Sequence, residues 1–320
     1  MSRGAPVGAR TGGIRSILDR GEAETMRVGP AVVRVTAGLL WFVNVDWKVP
    51  PDFGRAAGRG LARFVQAGID HPVLPPYSWF LEHVVLPNLT VFGWLTLLIE
   101  AGLAALLISG TLTRLAALGG IAQSGAIALT VMNAPGEWYW SYLLMLVVHV
   151  AILATDAGKV FGVDGLRAAA LAARSSPADA DGDPGRPFQR RVRVGRIAVA
   201  GILVTYGLVL IALQREHPFL SAAYPNSGFA LFKGTMALGV VLVVVAALVA
   251  VTAGRAAGRP AGVALLALAL AMFVAYRAPV NVVSATPSTA AMLGGAASFL
   301  LASAGGSPTF TPRRSDTRRS

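Results

Sequence analysis

Apolar runs long enough to cross a bilayer constrain this chain more than any other feature. They cover roughly residues 30–47, 87–109, 113–133, 138–156, 195–213, 233–253, 259–276 and 281–303. A helix crosses ~30 Å of hydrocarbon with about 20 apolar residues. Without water, its backbone groups must be satisfied within the segment, so such runs become helices. The expected fold class is all-α: a polytopic membrane protein of about eight transmembrane helices, arranged as two four-helix bundles. The runs 87–109 and 113–133 are joined by a tight connection, as are 233–253 and 259–276, so each pair should form an antiparallel hairpin. Only 14% of residues are charged and 54% are hydrophobic, against roughly 25% charged in a soluble domain.

Orientation follows from Lys and Arg, which accumulate on the cytoplasmic side of spans. With the N-terminus inside, most of the 28 basic residues fall in inner segments. The outer segments keep Lys48, Arg55, Arg59, Arg63, Arg215, Lys233 and Arg277. Both termini are therefore expected in the cytoplasm, and the location is the cytoplasmic (inner) membrane. The net charge of +12 is explained by topology and anionic lipid. The arginines are not interleaved with stacking aromatics, so nucleic acid is not an expected partner. The first apolar run ends in Trp47-Lys48-Val49-Pro50 without a small-residue cleavage site and reads as a retained helix.

The division expected from composition is a cytoplasmic tail over 1–28, a four-helix domain over 29–167, a cytoplasmic linker over 168–194, a second bundle over 195–303 and a basic tail over 304–320. The stretch 174–194 has the composition of a disordered linker. The two halves read either as a degenerate parallel repeat or as unrelated bundles in tandem. In the outer loop 48–86, Arg55, Arg59 and Arg63 recur every four residues over 54–68, which predicts an interfacial amphipathic helix. It could serve as a lid or as a connector resting on the membrane.

The absence of cysteine removes thiolate, iron–sulfur and covalent c-type haem chemistry. His71, His83, His149 and His217 form no close pair on a helix face, so no metal site is expected. Ionisable groups within spans are costly and usually face the interior. The first half has three: Arg34, Glu100 and His149. By residue count Glu100 and His149 lie roughly 10–14 Å from the inner edge. The expected cluster of Glu100, His149 and Arg34 could handle protons or hydrogen-bond a polar head group. The other reading is a structural Glu100–Arg34 pair locking two helices. A second polar group lies at the outer face: Asn44, Asp46, Trp47, Lys48, Glu82, His83 and Glu137. Trp138, Tyr139 and Trp140 read as an interfacial aromatic belt. The second half holds Tyr206, with Arg277 and Asn281 flanking its last outer turn, and reads as a scaffold. No Walker A, dinucleotide-binding or nucleophile-elbow motif occurs in a suitable context.

Over residues 30–167 the chain resembles the DoxX/DoxD family of small four-helix membrane proteins. The likeness rests on Arg34 through Lys48, on Phe64-Val-Gln-Ala-Gly-Ile-Asp-His-Pro72, on Glu100 through Gly110 and Arg114, and on Gly158-Lys-Val-Phe-Gly-Val-Asp164. The resemblance implies a role near membrane sulfur redox metabolism. The archaeal DoxD type is a subunit of thiosulfate:quinone oxidoreductase. It carries over Glu100, Arg34, Lys48 and Arg114. The expectation is thus a membrane subunit of a quinone-linked oxidoreductase, with quinone as non-covalent cofactor and thiosulfate as electron donor. Glu100, His149 and Arg34 would be catalytic, and Lys48, Asp46 and Arg114 would bind substrate. Expected partners are the lipid bilayer, a soluble or membrane redox protein, and a second copy of the chain. The alternatives are a non-catalytic scaffold for a redox or stress-response partner, and a proton-coupled small-molecule transporter.

Overall fold

The computed structural model describes residues 11–175, 185–213, 235–275 and 286–304, with residues 11–27 described by backbone alone. Arg215, Lys233, Arg277, Asn281, His217 and the basic tail from 305 lie outside these residues. Among the described residues all regular structure is helical. The elements are α1 Thr11–Asn44, α2 Gly60–Asp70, α3 Pro75–Phe80, a π-helical turn Leu81–Val85, α4 Leu89–Ser109, α5 Thr113–Val131 and α6 Tyr139–Ala154. They continue with α7 Val163–Ser175, α8 Arg186–Leu213, α9 Met236–Thr252, α10 Gly258–Val274 and α11 Pro287–Ala304. Three of them, α4, α5 and α8, are long and apolar enough to cross a membrane. Shorter apolar stretches are Val28–Asn44, Tyr139–Ala154, Met236–Thr252 and Gly258–Val274.

Polarity in this molecule runs opposite to that of a soluble bundle. Arg34, Lys48, Glu100 and His149 are buried, while Val91, Val147, Ile197 and Val274 are well exposed. A soluble protein hides the second set and solvates the first. An outer surface of Leu, Val and Ile around a largely apolar core that also holds a few buried charges suits lipid.

Helices α1, α4, α5 and α6 form one bundle, with α1 against α4 and α5 against α6 as the main pairs. Gly38 on α1 meets Ile108 on α4 so closely that a Cβ would stand 2.8 Å from the Ile108 backbone nitrogen. That approach sets an antiparallel register in which Arg34 reaches Gly110 and Lys48 reaches Glu100. In the second half, α8 pairs with α9 and α10 with α11, and the two pairs touch each other only lightly. Residues of all four helices share one buried core with α7. Helix α11 also packs against α4 of the first half. It is rich in Ala, Ser and Gly and is buried on nearly every face, since small residues let neighbours approach from several sides.

Two expected boundaries move. The 168–194 linker begins inside α7, whose Leu166 and Ala170 are buried one turn apart. Helix α8 starts at Arg186 and buries Phe188 and Val192 at the same spacing. Both are amphipathic helices whose Arg, Pro and Ala content reads as linker when periodicity is ignored. The amphipathic helix expected over 54–68 runs instead over Gly60–Asp70. Residues before it are held as turns, with Gly54 at φ 86°. There the Asp52 carboxylate accepts the N–H groups of Gly54 (3.2 Å) and Ala56 (3.3 Å). Those bonds hold the Asp52 carboxyl below the ordinary carboxylate range. Helix α2 buries Ala62, Val65 and Gly68 and packs on α5 over one end of the bundle. This contact goes beyond a connector resting on lipid.

The α8–α9 crossing depends on two glycines. A Cβ on Gly207 or Gly239 would stand 2.6 Å from the other's carbonyl oxygen. Gly239→Leu should separate the pair and cost about 1–3 kcal/mol or more, read as a lower melting midpoint by circular dichroism in detergent. Gly102→Ala, where nothing lies within 4 Å, should instead be neutral or stabilise by up to about 1 kcal/mol.

Candidate functional site

The interior of the first bundle is built in layers from Arg34 and Trp41, on α1, and from Lys48, in the turn that follows the helix end at Asn44. Arg34 and Trp41 are seven residues apart, close to two helical turns or about 10 Å of rise, so they point the same way at successive depths. Lys48 is brought in beyond the helix end by its own bond to the Asn44 carbonyl. All three are buried.

The Lys48 layer holds the strongest interaction. Lys48 Nζ lies 2.6 Å from Glu100 Oε2, and the two residues are 3% and 0% exposed. Asn44 Nδ2 donates to the same carboxylate oxygen at 3.3 Å, and Gln123 Nε2 donates to Oε1 at 3.2 Å. Lys48 Nζ also donates to the Asn44 carbonyl at 3.1 Å and sits 4.1 Å from the centre of the Trp47 ring. Trp47 meets Phe64 of α2 edge-on at 5.4 Å. Phe64 in turn lines an open cavity of about 800 Å³ together with Arg55, Arg63, Gln66, Asp70, His71, Glu82 and Glu137. Two aromatic rings thus stand between the cavity and the buried ion pair.

The middle layer belongs to His149. Its Nε2 accepts the indole N–H of Trp41 at 2.9 Å, and its Nδ1 lies 2.7 Å from the Met145 carbonyl. A carbonyl can only accept, so Nδ1 carries the proton and the ring is neutral. The ring fits because α5 has a glycine opposite: any side chain at Gly120 would collide with it.

The third layer is at the far end. Arg34 Nη2 donates to the Phe161 carbonyl at 2.9 Å, and its other terminal nitrogen fills space left by Gly110 and Gly162. Asp164, whose charge acts on Arg34, accepts the N–H groups of Leu112 (2.9 Å) and Thr113 (2.8 Å) and so caps α5. Leu112 and Phe161 both adopt φ 48°. A left-handed backbone is unfavourable for such residues and persists where contacts fix it; here Asp164 and Arg34 do so.

These positions correct the expected cluster. Arg34 does not meet Glu100, because it packs at Gly110, ten residues or about 15 Å further along α4. The Glu100 partner is Lys48. His149 lies one layer away with both nitrogens engaged and makes no bond to Glu100. Nor do Lys48, Asp46 and Arg114 share a site. Asp46 accepts the Ser288 hydroxyl at 2.6 Å and its N–H at 3.4 Å, tying α1 to the start of α11. Arg114 lines a separate cleft at the Arg34 end. Among the described residues no three metal-ligating side chains converge. Glu137 pairs with the Tyr142 hydroxyl, and Trp138 stacks on Trp140 at 5.6 Å with both exposed.

Sequence reasoning passed over Gln123, Trp41 and Gly120. Gln123 could have been found as an amide set in an apolar helix, and Trp41 from its seven-residue spacing from Arg34.

Removing one member of a buried pair strands the other charge. Lys48→Met or Glu100→Leu alone should cost about 3–5 kcal/mol, and the double substitution should recover most of that. Chemical denaturation in detergent of the three variants measures it. Equal, additive losses would show that the two groups do not depend on each other.

No family model, no curated protein and no solved structure matches this chain.

Proposed function

We propose that the chain is a multi-pass protein of the cytoplasmic membrane, spanning it about eight times with both termini inside. We propose further that it serves as a subunit of a quinone-linked oxidoreductase. The observation that carries this reading is the Lys48–Glu100 pair, a proton donor and a proton acceptor 2.6 Å apart in a lipid-facing bundle. Charges kept so deep are usually functional.

A quinone accepts two electrons and two protons on becoming a quinol. The residues here bear on the proton half of that requirement. In the ion pair Lys48 Nζ holds one transferable proton. Glu100, ionised, can pass a proton back to Lys48 only after taking one up from water, and the second proton of the quinol must likewise come from water. The amides of Asn44 and Gln123 hold long bonds of 3.3 and 3.2 Å to Glu100, which a head-group oxygen can take over with little loss. The Trp47 and Phe64 rings offer apolar faces beside the pair. Electrons would come from a donor or partner protein. For a small oxyanion such as thiosulfate, Arg55 and Arg63 in the outer cavity are the cationic contacts, set beside Asp70, Glu82 and Glu137. His149, with both nitrogens occupied, is assigned to positioning Trp41.

A second reading, a non-catalytic scaffold, is favoured by one observation: Lys48 and Glu100 satisfy each other without an orphaned polar atom. The two readings separate in nanodiscs. Under the first, a soluble quinone analogue quenches tryptophan fluorescence, and thiosulfate supports quinol formation. Glu100→Gln should lose at least tenfold in turnover while keeping its helical signal. Absence of both quenching and turnover in the unsubstituted protein would reject the oxidoreductase reading, and full turnover in Glu100→Gln would reject the proton role.

A further inference from the structure

At the Arg34 end of the first bundle a cleft of about 300 Å³ is lined by Thr113, Arg114, Thr155, Asp156, Gly158, Lys159 and Asp164. Nothing in the proposed redox role uses it. Its charges are unevenly spent. Asp164 is engaged by the N–H groups of α5 and by the field of Arg34. Asp156 is paired with Lys159 at 2.7 Å, and that bond holds the Asp156 carboxyl below the ordinary carboxylate range. The charge of Arg114 acts on Asp156 at a distance, while Lys159 holds the direct bond to that carboxylate, so the guanidinium donors of Arg114 face the cleft without a direct carboxylate bond. The Lys159 loop is itself fixed, because Arg191 of α8 donates to the Lys159 carbonyl at 2.9 Å.

One atom in this cleft points to a ligand independently of the charges. The Thr113 hydroxyl is buried, the residue being 3% exposed, and it has no hydrogen-bond partner. It faces the glycine at 158, where a Cβ would collide with it and would stand 2.6 Å from Asp164 Oδ2. An unmade hydrogen bond at a buried hydroxyl costs about 1–3 kcal/mol, and the other hydroxyl of the cleft, Thr155, is already satisfied by the Ala151 carbonyl. Leu112, Leu115 and Phe161, each within two residues of a lining residue in sequence, are exposed, and the lining sets two cations, Arg114 and Lys159, against two carboxylates, Asp156 and Asp164. Guanidinium, ammonium and hydroxyl donors converging in one small cleft match the oxygens of a phosphate ester.

We propose that this cleft binds a phosphate group. The exposed apolar residues near it in sequence suit an anionic phospholipid headgroup, and a soluble phosphate ester would present the same oxygens.

The test uses the full chain, delipidated in neutral detergent. Phosphatidylglycerol, phosphatidylcholine and inorganic phosphate are added separately, with retention read by native mass spectrometry and stability by thermal shift. Binding of phosphatidylglycerol in preference to phosphatidylcholine, weakened about tenfold in Arg114→Gln and restored in Arg114→Lys, supports the site with lipid as its source. Stabilisation by inorganic phosphate with the same variant pattern supports it with a soluble source. Arg167→Gln, at an exposed arginine outside the cleft, should leave both unchanged. Thr113→Val adds a readout that a purely structural role would not give. With a phosphate ligand it lowers affinity; without one it removes an unsatisfied hydroxyl and only stabilises. Binding indifferent to Arg114 and Thr113, or no preference for either phosphate probe, overturns the proposal.

Discussion

A lysine and a glutamate that are both withdrawn from water must neutralise each other, and the first bundle is organised around that requirement. An ammonium and a carboxylate each lose several kcal/mol of hydration on burial, which is offset only by close geometry and further hydrogen bonds. The chain meets this with a 2.6 Å contact and two amides, Asn44 and Gln123, that come from different helices. Because the four groups arrive from the end of α1, the turn after it, α4 and α5, the pair fixes the relative depth of all three helices. A shift of α4 by one residue would carry Glu100 away from Lys48 and rotate it toward lipid.

The same helix sets the other layers. The seven-residue step from Arg34 to Trp41 keeps both on one inward stripe of α1, and the turn after the helix adds Lys48: a cation beside backbone turns, an indole beside a neutral imidazole, and a cation beside a carboxylate. Small residues opposite make this possible. Gly110 and Gly162 admit Arg34, and Gly120 admits His149. A bundle interior of leucine would need none of these accommodations.

Reading the chain from residues alone located the helices well. The apolar runs at 87–109 and 113–133 correspond to α4 Leu89–Ser109 and α5 Thr113–Val131, because hydrophobicity over about 20 residues is a local signal. Glu100, His149 and Arg34 were also legible as inward-facing, since each stands alone in an apolar run. What could not be read was which of them meet. Partner choice depends on helix register, and register here follows from the Gly38–Ile108 approach, a contact between segments seventy residues apart. Depth counted from an uncertain helix end pairs Arg34 with Glu100, whereas the partner Lys48 comes from the turn after α1, where helical periodicity gives no guide. The helices α7 and α8 were partly lost to a linker because composition outweighed the buried i, i+4 pairs Leu166/Ala170 and Phe188/Val192.

The placement of α11 carries a consequence for how such a chain is made. This helix, the last described along the sequence, covers a flank of α4 and receives the Asp46 carboxylate of α1 at its first turn. During synthesis the first four apolar helices therefore emerge and pair long before their final neighbour exists. Until Pro287–Ala304 has been made, the α4 flank that it covers stays open to whatever surrounds the growing chain. An early helix thus takes its final neighbour from a segment made much later.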